Sequence, residues 1–243
     1  MNRIREITMK FDSVNDDRKY YFFYMSNLSW SRCESSVRFL ADFIVPNAKV
    51  LEVGCGLGHT AVMLADMRPD IEIIGTDIKA VNTWEYFRQE FNCLFKECDA
   101  TKLPFNPEEF DAVVSFGVME HVADQGRFLK EIHRCLKKGG YNIIFKLPNK
   151  YSLPQFLSQA IGLAVHEKKY SLKEAIGIIE NAGFKALAYK REHLIPSEVD
   201  RLSSTLGKIF NKIYKPLFKL DAFVCKTFLS LFSQNIRVIS QKI

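Results

Sequence analysis

The run of alternating glycines at positions 52–58, Glu-Val-Gly-Cys-Gly-Leu-Gly, is the part of the sequence best suited to holding a ligand. It lies where a predicted first strand turns into a predicted helix, the position of the ligand crevice in open α/β sheets. Glycine allows close backbone approach and positive φ angles. A dinucleotide fingerprint would need glycine at His59, and no Gly-Lys-Ser/Thr ending marks a Walker A loop. The spacing therefore argues against both of these nucleotide sites.

Carboxylates follow the next two predicted strands, and a polar stretch follows the fourth. Asp77 ends the segment Ile-Ile-Gly-Thr-Asp, and a carboxylate there is a double acceptor suited to a vicinal diol. Asp99 stands in Glu-Cys-Asp-Ala-Thr, and Phe110–His121 contains the fourth strand and its loop. Taken one by one, the glycines could form a tight turn, the two aspartates could cap turns, and Cys55 could be a small filler.

Together these stretches resemble, in order and spacing, the class I S-adenosylmethionine-dependent methyltransferases of the type 11 kind, over roughly residues 38–190. The resemblance implies S-adenosylmethionine as cofactor, with Glu52 near its ammonium group, Asp77 on its ribose and Asp99 with Ala100 at its adenine. The loop after the fourth strand then receives the methionine end. The cofactor-binding residues implied in this way are Glu52, Gly54, Cys55, Gly56, Gly58, Asp77, Ile78, Asp99, Ala100, Ser115 and Phe116.

Two histidines are candidate bases for methyl transfer. The reaction is an in-line displacement on an activated donor, so alignment supplies much of the rate, and a base helps when the nucleophile bears a proton. His121 follows the fourth strand, although it could simply order that loop, and His166 precedes a predicted helix at Ser171–Ala182. The six cysteines include no C-x-x-C pair, which argues against a zinc ribbon and a disulfide framework, and we expect no metal.

The acceptor is narrowed by what the sequence lacks. Ser115-Phe-Gly-Val stands where enzymes that methylate amino groups of bases have Asn/Asp-Pro-Pro-Tyr/Phe, and no Pro-Cys pair is present for a covalent cytosine adduct. A small-molecule, saccharide or lipid-linked acceptor is therefore predicted, with nucleic acid disfavoured. Two alternatives stay open: an RNA methyltransferase, which salt-dependent RNA binding would support, and a catalytically silent cofactor-binding or scaffold domain.

The elements that must position these residues follow a regular alternation of strands and helices, typical of a doubly wound, mostly parallel α/β sheet. The resemblance extends this to a seven-stranded, Rossmann-like sheet with N-terminal helices and C-terminal helical additions. Apolar runs without alternation indicate strands covered on both faces. Helices are expected near 60–67, 80–91 and 126–137, the last ended by Gly139-Gly140. Predicted strands are Lys49–Val53, Ile71–Asp77, Cys93–Asp99, Ala112–Phe116, Tyr141–Leu147, Phe184–Lys190 and Ile236–Gln241.

The chain divides into an N-terminal helical extension at 1–47, a cofactor-binding core at 48–195 and a segment at 196–243 that belongs to the same domain. In the extension, Tyr20, Tyr21 and Tyr24 could form a lid over the cofactor or an ordinary packed helix. No apolar run of signal-peptide length opens the chain and no segment approaches the length of a spanning helix, so we expect a cytoplasmic protein.

Positive charge is concentrated in the last segment. The chain carries +6 overall, but residues 201–243 hold eight basic residues and one acid, which gives +7. The apolar residues from Leu206 to Leu217 fall on one helical face with lysines opposite. Pro216 should break or kink that helix, before an aromatic-rich one continues from Leu217 to Phe232. Such helices can lie in a membrane interface, which suggests peripheral contact through 204–232 on the inner membrane face, or they can pack on the sheet.

Overall fold

The computed structural model describes residues 2–12, 27–160, 166, 168–196, 208–209 and 212–243. The strands are β1 (Lys49–Val53), β2 (Glu72–Asp77), β3 (Cys93–Glu97), β4 (Phe110–Phe116), β5 (Leu136–Pro148), β6 (Phe184–Glu192) and β7 (Asn235–Lys242). The α-helices are α1 (Asn2–Asp12), α2 (Asn27–Phe43), α3 (His59–Met67), α4 (Thr83–Glu90), α5 (Gln125–Cys135), α6 (Leu153–Ala160), α7 (Leu172–Asn181) and α8 (Tyr214–Val224). Short 3-10 helices cover Met119–His121 and Phe228–Phe232.

The seven strands form one sheet in the order β3-β2-β1-β4-β5-β7-β6. Neighbours from β3 to β5 are parallel, whereas β7 runs antiparallel between β5 and β6. The predicted doubly wound, mostly parallel sheet is therefore confirmed. Because β7 is reversed, its first residue Asn235 pairs with Pro148 at the end of β5. The tail just before β7 consequently reaches the edge of the sheet where the parallel strands end.

Two apolar clusters fill the two sides of the sheet. One contains side chains from the four helices α1, α2, α3 and α4 and from alternate positions of the strands, including Ile4, Val37 and Phe87. The other joins α5 and α7 with the opposite face, including Phe128 and Ile179. The helix α2 contributes buried side chains to the first cluster along much of its length. The proposed lid tyrosines lie outside the described residues, so the lid stays a prediction.

Two expectations about secondary structure are wrong. The helix before β5 ends at Cys135 rather than at Gly139-Gly140, because buried Leu136 already pairs with Phe110 in the sheet. The strand β3 is not covered on both faces, since it is an edge strand with exposed residues. Pro216 lies inside the first turn of α8, where its missing N–H removes no helical bond. The expected helix from Leu206 lies partly outside the described residues, so its break or kink at Pro216 stays a prediction.

Other local signals are confirmed. The capping box before α7 is complete, because the Ser171 side chain accepts from the Glu174 N–H and the Glu174 carboxylate accepts from the Ser171 N–H. Gly183 ends that helix with a φ of 96°. All six cysteines are free thiols. None of the helices in the described ranges is long and apolar enough to cross a membrane.

Candidate functional site

The carboxyl ends of four adjacent parallel strands bring the predicted cofactor residues to one edge of the sheet. Backbone hydrogen bonds link the segments after the strands: Cys55 donates to Thr76 O at 2.8 Å, and Cys98 donates to Asp77 O at 2.9 Å. On the other side of β4, Gly117 donates to the Phe145 carbonyl at 3.0 Å. The glycine loop therefore lies between the acid that ends β2 and the loop that follows β4.

All three glycines of the loop require their residue type. Gly54, Gly56 and Gly58 have φ angles of 73°, 54° and 84°, in the left-handed region that side chains rarely adopt. A Cβ on Gly54 would lie 2.3 Å from a methyl carbon of Val118, and one on Gly58 would lie 2.5 Å from the Phe95 ring. The loop is thus pressed against the β4 loop on one side and β3 on the other.

Side chains of α4 hydrogen-bond to the loop, and no sequence motif predicted these contacts. Trp84 donates its indole N–H to the Gly56 carbonyl at 2.9 Å, and Thr83 donates its hydroxyl to the Leu57 carbonyl at 2.8 Å. Both side chains are buried. A tryptophan early in the helix after the acid of β2 was the available signal, because a buried indole N–H needs an acceptor.

Glu52 is buried at the end of β1, as its apolar neighbours indicated. Its carboxylate accepts a short hydrogen bond from the hydroxyl of Thr60 in α3, which satisfies the expected need for a partner. Burial raises the pKa of Glu52 to about 8, opposed by the Thr60 bond and by the charge of Lys146, while Asp77 adds to the rise. A cation beside this carboxyl group would favour its charged form.

Asp77 and Asp99 accept hydrogen bonds from different parts of the chain. Asp77 accepts from the Gly56 N–H at 2.8 Å and is partly exposed, and Ile78 beside it is 72% exposed. Asp99 accepts from both the N–H and the hydroxyl of Thr101 at 2.8 Å, which is the turn-capping role considered as its alternative. These bonds lower the pKa of Asp99. Ala100 follows it, half-buried beside the second apolar cluster.

The end of β4 presents one polar and one aromatic side chain. The Ser115 hydroxyl is buried and has no hydrogen-bond partner within the part of the chain that the structure describes. Phe116 stacks on Phe145 with ring centroids 4.5 Å apart, so its side chain packs within the first apolar cluster. A buried hydroxyl without a partner calls for a ligand atom or a water.

The two candidate bases, distant in sequence, meet at one carboxyl group. The Glu120 Oε1 atom lies 4.0 Å from His121 Nε2 and 3.9 Å from His166 Nδ1. The imidazole rings are 5.7 Å apart. Burial raises the pKa of Glu120 to about 7, and partial burial followed by the charge of Lys168 lowers the pKa of His121. The sequence named the histidines but not Glu120 as their common partner.

Lys146 is a second site feature that the sequence analysis missed. It stands in the apolar strand β5 at an irregularity of the β5–β7 pairing and has a φ of 58°. Its positive charge lowers the pKa of both Glu52 and Glu120. A lysine within the run Tyr141–Leu147 was the available signal, because a charge inside a buried strand needs a reason.

Comparisons with known proteins agree with this architecture. Residues 51–144 match the family model described as a methyltransferase domain. The demethylmenaquinone methyltransferase of Thermus thermophilus is 31% identical over 105 residues, which cover 41% of this chain and 47% of that protein. A solved S-adenosylmethionine-dependent methyltransferase of Thermotoga maritima superposes with a TM-score of 0.60 at 20% identity, covering 98% of this chain and 99% of that chain. The [4+2]-cyclase SpnF matches with a TM-score of 0.60 at 19% identity, covering 86% and 81%.

Residues 51–144 therefore match a methyltransferase domain, on a fold shared with solved S-adenosylmethionine-dependent methyltransferases. The chain spans about half the length of the curated relatives it matches. The match to solved structures establishes the fold, and SpnF shows that proteins with this fold include one named as a cyclase.

The residues at the sheet edge fit the cofactor of this class. The partly exposed carboxylate of Asp77 suits a diol, and the exposed Ile78 next to it offers an apolar surface for a flat ring. Toward β4, the buried Glu52 carboxyl group suits an ammonium group, and the Ser115 hydroxyl still needs a partner. The left-handed glycines allow the close backbone approach that such a ligand requires.

Proposed function

We propose that this protein transfers a methyl group from S-adenosylmethionine to an oxygen, nitrogen or carbon atom of a small or lipid-linked acceptor. The observation that carries the proposal is the Glu120–His121–His166 cluster. The cluster lies beside the glycine loop, because Val118, two residues before Glu120, packs closely against Gly54. The cofactor, when bound, supplies an activated methyl group. The protein then mainly has to align the acceptor and handle its proton.

We assign the cofactor contacts residue by residue. Asp77 accepts from the ribose hydroxyls in place of the Gly56 N–H or together with it, and Ile78 packs on the base. Glu52 faces the ammonium group. The remaining proposed contacts come from the three loop glycines, Cys55, Asp99, Ala100, Ser115 and Phe116.

The cluster takes the acceptor side of the reaction. His121 is 61% exposed and His166 is 37% exposed, so both can meet a substrate, whereas the Glu120 side chain is only 2% exposed. The Glu120 carboxyl group lies 3.9 Å and 4.0 Å from one nitrogen of each imidazole, where its charge favours a protonated ring. We therefore assign proton handling to the cluster as a unit, with Glu120 as its positioning residue.

An exposed apolar surface beside the site supports a lipid-linked acceptor. We define this apolar surface as the exposed large side chains of 151–157 and 220–232. The two segments are joined because Asn149 donates its side-chain amide to the carbonyls of Leu231 and Ser233, both at 2.8 Å. Its exposed members are Tyr151, Leu153, Phe156, Leu157, Leu220, Phe223, Phe228, Leu229, Leu231 and Phe232.

The charges around the apolar surface favour an anionic membrane as its partner. The described exposed charges in 208–232 are all lysines, because Asp221 is buried in an ion pair with Arg32 of α2 at 2.8 Å. Aromatic side chains with lysines around them can lie in a lipid interface. The Arg32–Asp221 pair fixes α8 to the core while leaving Phe223 67% exposed.

The cofactor is tested by thermal-shift titration with S-adenosylmethionine and its demethylated product. At about a hundred times the dissociation constant, binding should add about 2.7 kcal/mol, a rise in Tm of roughly 5–10 °C. Gly56→Arg should abolish the rise. The matched control is Gly177→Arg, since a side chain at that helix position meets no atom within 4 Å. A folded wild-type protein whose Tm does not rise would contradict the proposed cofactor site.

The acceptor class is tested with a radiolabelled methyl donor and three fractions: lipid extract, water-soluble metabolites and RNA. Label in the lipid or small-molecule fraction that Asp77→Ala abolishes is expected. Label confined to RNA would overturn the acceptor class, and cofactor binding without label in any fraction would favour a silent domain.

The membrane contact is tested by flotation of the full chain on anionic and on zwitterionic vesicles. Wild-type protein should float on the anionic vesicles, and Phe156→Ser with Phe223→Ser should not. The control is Leu94→Ser, which removes another exposed apolar side chain, in the edge strand β3. Equal flotation of all three proteins, or of none, would refute the contact.

A further inference from the structure

The Glu120–His121–His166 cluster has the composition and spacing of a metal site. Its three ligand atoms, one from each residue, lie within 4.8 Å of one another. Two ligands bound at about 2.1 Å to one ion are roughly 3.0–3.4 Å apart. The Glu120–His121 and Glu120–His166 distances of 4.0 and 3.9 Å therefore need to shorten by up to about 1 Å, and the two histidine nitrogens, within 4.8 Å of each other, by up to about 1.8 Å. The exposed ring of His121, in a short 3-10 helix, can make that adjustment.

Glu120 is the member of the cluster that calls for a ligand. Both of its carboxyl oxygens are buried and have no hydrogen-bond partner among the described residues. The side chain extends toward the two imidazoles. Gly117 also lies close to it, since a Cβ on this glycine would be 3.4 Å from Glu120 Oε1. A buried carboxyl group that makes no hydrogen bond costs free energy of folding. A partner that binds oxygen and two imidazole nitrogens at once would recover that cost.

Within the described part of the chain, no group hydrogen-bonds to the Glu120 carboxyl group as such a partner would. Neither imidazole nitrogen is within hydrogen-bonding distance of Glu120, since the two distances are 4.0 and 3.9 Å. The positive charge of Lys146 acts on Glu120. The Tyr170 hydroxyl hydrogen-bonds to Gln125 and makes no bond to Glu120. Neutral imidazole and carboxylate are the forms in which these side chains bind metal ions.

We propose that Glu120, His121 and His166 bind one divalent transition-metal ion at the acceptor end of the site. Two imidazoles and one carboxylate suit ions of the zinc and iron(II) class, whereas magnesium and calcium prefer ligand sets made of oxygen. Three protein ligands leave positions open, as catalytic rather than structural sites do. This replaces the expectation from the sequence that no metal is bound.

The role of the ion follows from its place in the site, and this role rests on the proposed methyl transfer. A divalent cation lowers the pKa of an oxygen acid that binds it. The acceptor class we infer is one with an ionisable hydroxyl, such as a phenol or an enol, whose proton passes to solvent before the oxygen takes the methyl group. The two histidines then act as ligands, and Glu120 compensates part of the charge of the ion.

The site is tested on tag-free full-length protein that is first stripped with a chelator and then given Zn²⁺. Wild-type protein should retain about one equivalent after dialysis, measured by elemental analysis, and Co²⁺ should give visible absorption bands of a site with nitrogen ligands. Glu120→Gln and His166→Ala should each weaken Zn²⁺ binding by about 100-fold or more. The matched control, His133→Ala, removes a histidine that packs on Phe184 away from the cluster, and it should bind like the wild type.

The outcomes separate this inference from the proposed function. No retained Zn²⁺, or equal affinity in wild type and Glu120→Gln, overturns the metal site. Methyl transfer that persists in the chelated protein but is lost in His166→Ala would also overturn it, because the histidines would then act directly as bases. Stoichiometric Zn²⁺ that the variants lose, in a protein that methylates no acceptor, leaves the metal site standing and refutes the proposed function.

Discussion

Replacing Glu52 with Gln should uncouple cofactor binding from proton release. With a pKa of about 8, Glu52 is about 90% protonated at pH 7 in the free protein. Binding an ammonium group favours the carboxylate, so the wild type should release about 0.9 proton per S-adenosylmethionine bound at pH 7. If the pKa in the complex lies well below 6, affinity should rise roughly 50-fold between pH 6 and pH 8. The variant should bind more weakly and with little dependence on pH.

The assay is titration calorimetry at pH 7 in two buffers that differ in ionisation enthalpy, which counts the protons released. The charges of Asp77 and Lys146 act on Glu52, and burial raises the pKa of Glu120 as well. Glu120→Gln is therefore measured in parallel and should keep most of the release. Equal proton release by wild type and Glu52→Gln would refute the assignment of the carboxyl group to the ammonium group.

The same raised pKa predicts how stability depends on pH. The carboxyl group has a pKa of about 4.5 when unfolded and about 8 when folded, so the folded state holds the extra proton between these values. Its contribution is fully present below pH 4.5 and is lost as pH rises toward 8. Relative to Glu52→Gln, the free wild-type protein should lose several kcal/mol across this range, at about 1.4 kcal/mol per pH unit. The prediction is contradicted if the free energies of unfolding in urea change equally with pH in the two proteins.

Three further substitutions test the contacts around the site. Asp77→Ala removes charge-assisted hydrogen bonds worth about 1.5–3 kcal/mol, so calorimetry should show cofactor affinity lower by about 10- to 100-fold, and unchanged affinity would contradict the ribose contact. Arg32→Met leaves Asp221 buried without its partner and should lower the free energy of unfolding in urea by about 3–5 kcal/mol. The double variant Arg32→Met/Asp221→Leu should lower it less. A decrease under about 1 kcal/mol for Arg32→Met would show that the pair is not buried. Ser171→Ala removes the hydroxyl of the capping box and should lower Tm by about 2–4 °C, whereas Ser171→Asp should lower it less.

The sequence determined the strands, the glycine loop and the acids, because each depends on neighbouring residues. Apolar runs that alternate with helical patterns specify parallel strands, and consecutive parallel strands end at the same edge of the sheet. The placement of Glu52, Asp77 and Asp99 at this edge therefore follows from their positions in the chain. The predicted end of α5 was wrong because Gly139-Gly140 is a local stop signal, whereas the pairing of Leu136 with Phe110 is not local.

Only the tertiary structure decided which distant residues share a site. His121 and His166 belong to different connections, and their meeting at Glu120 depends on how the chain after β5 returns over the carboxyl edge. The insertion of β7 between β5 and β6 likewise brings the lysine-rich tail beside that edge. Such contacts arise when the apolar faces of the sheet and helices are buried together, and no periodicity in the sequence encodes their distances.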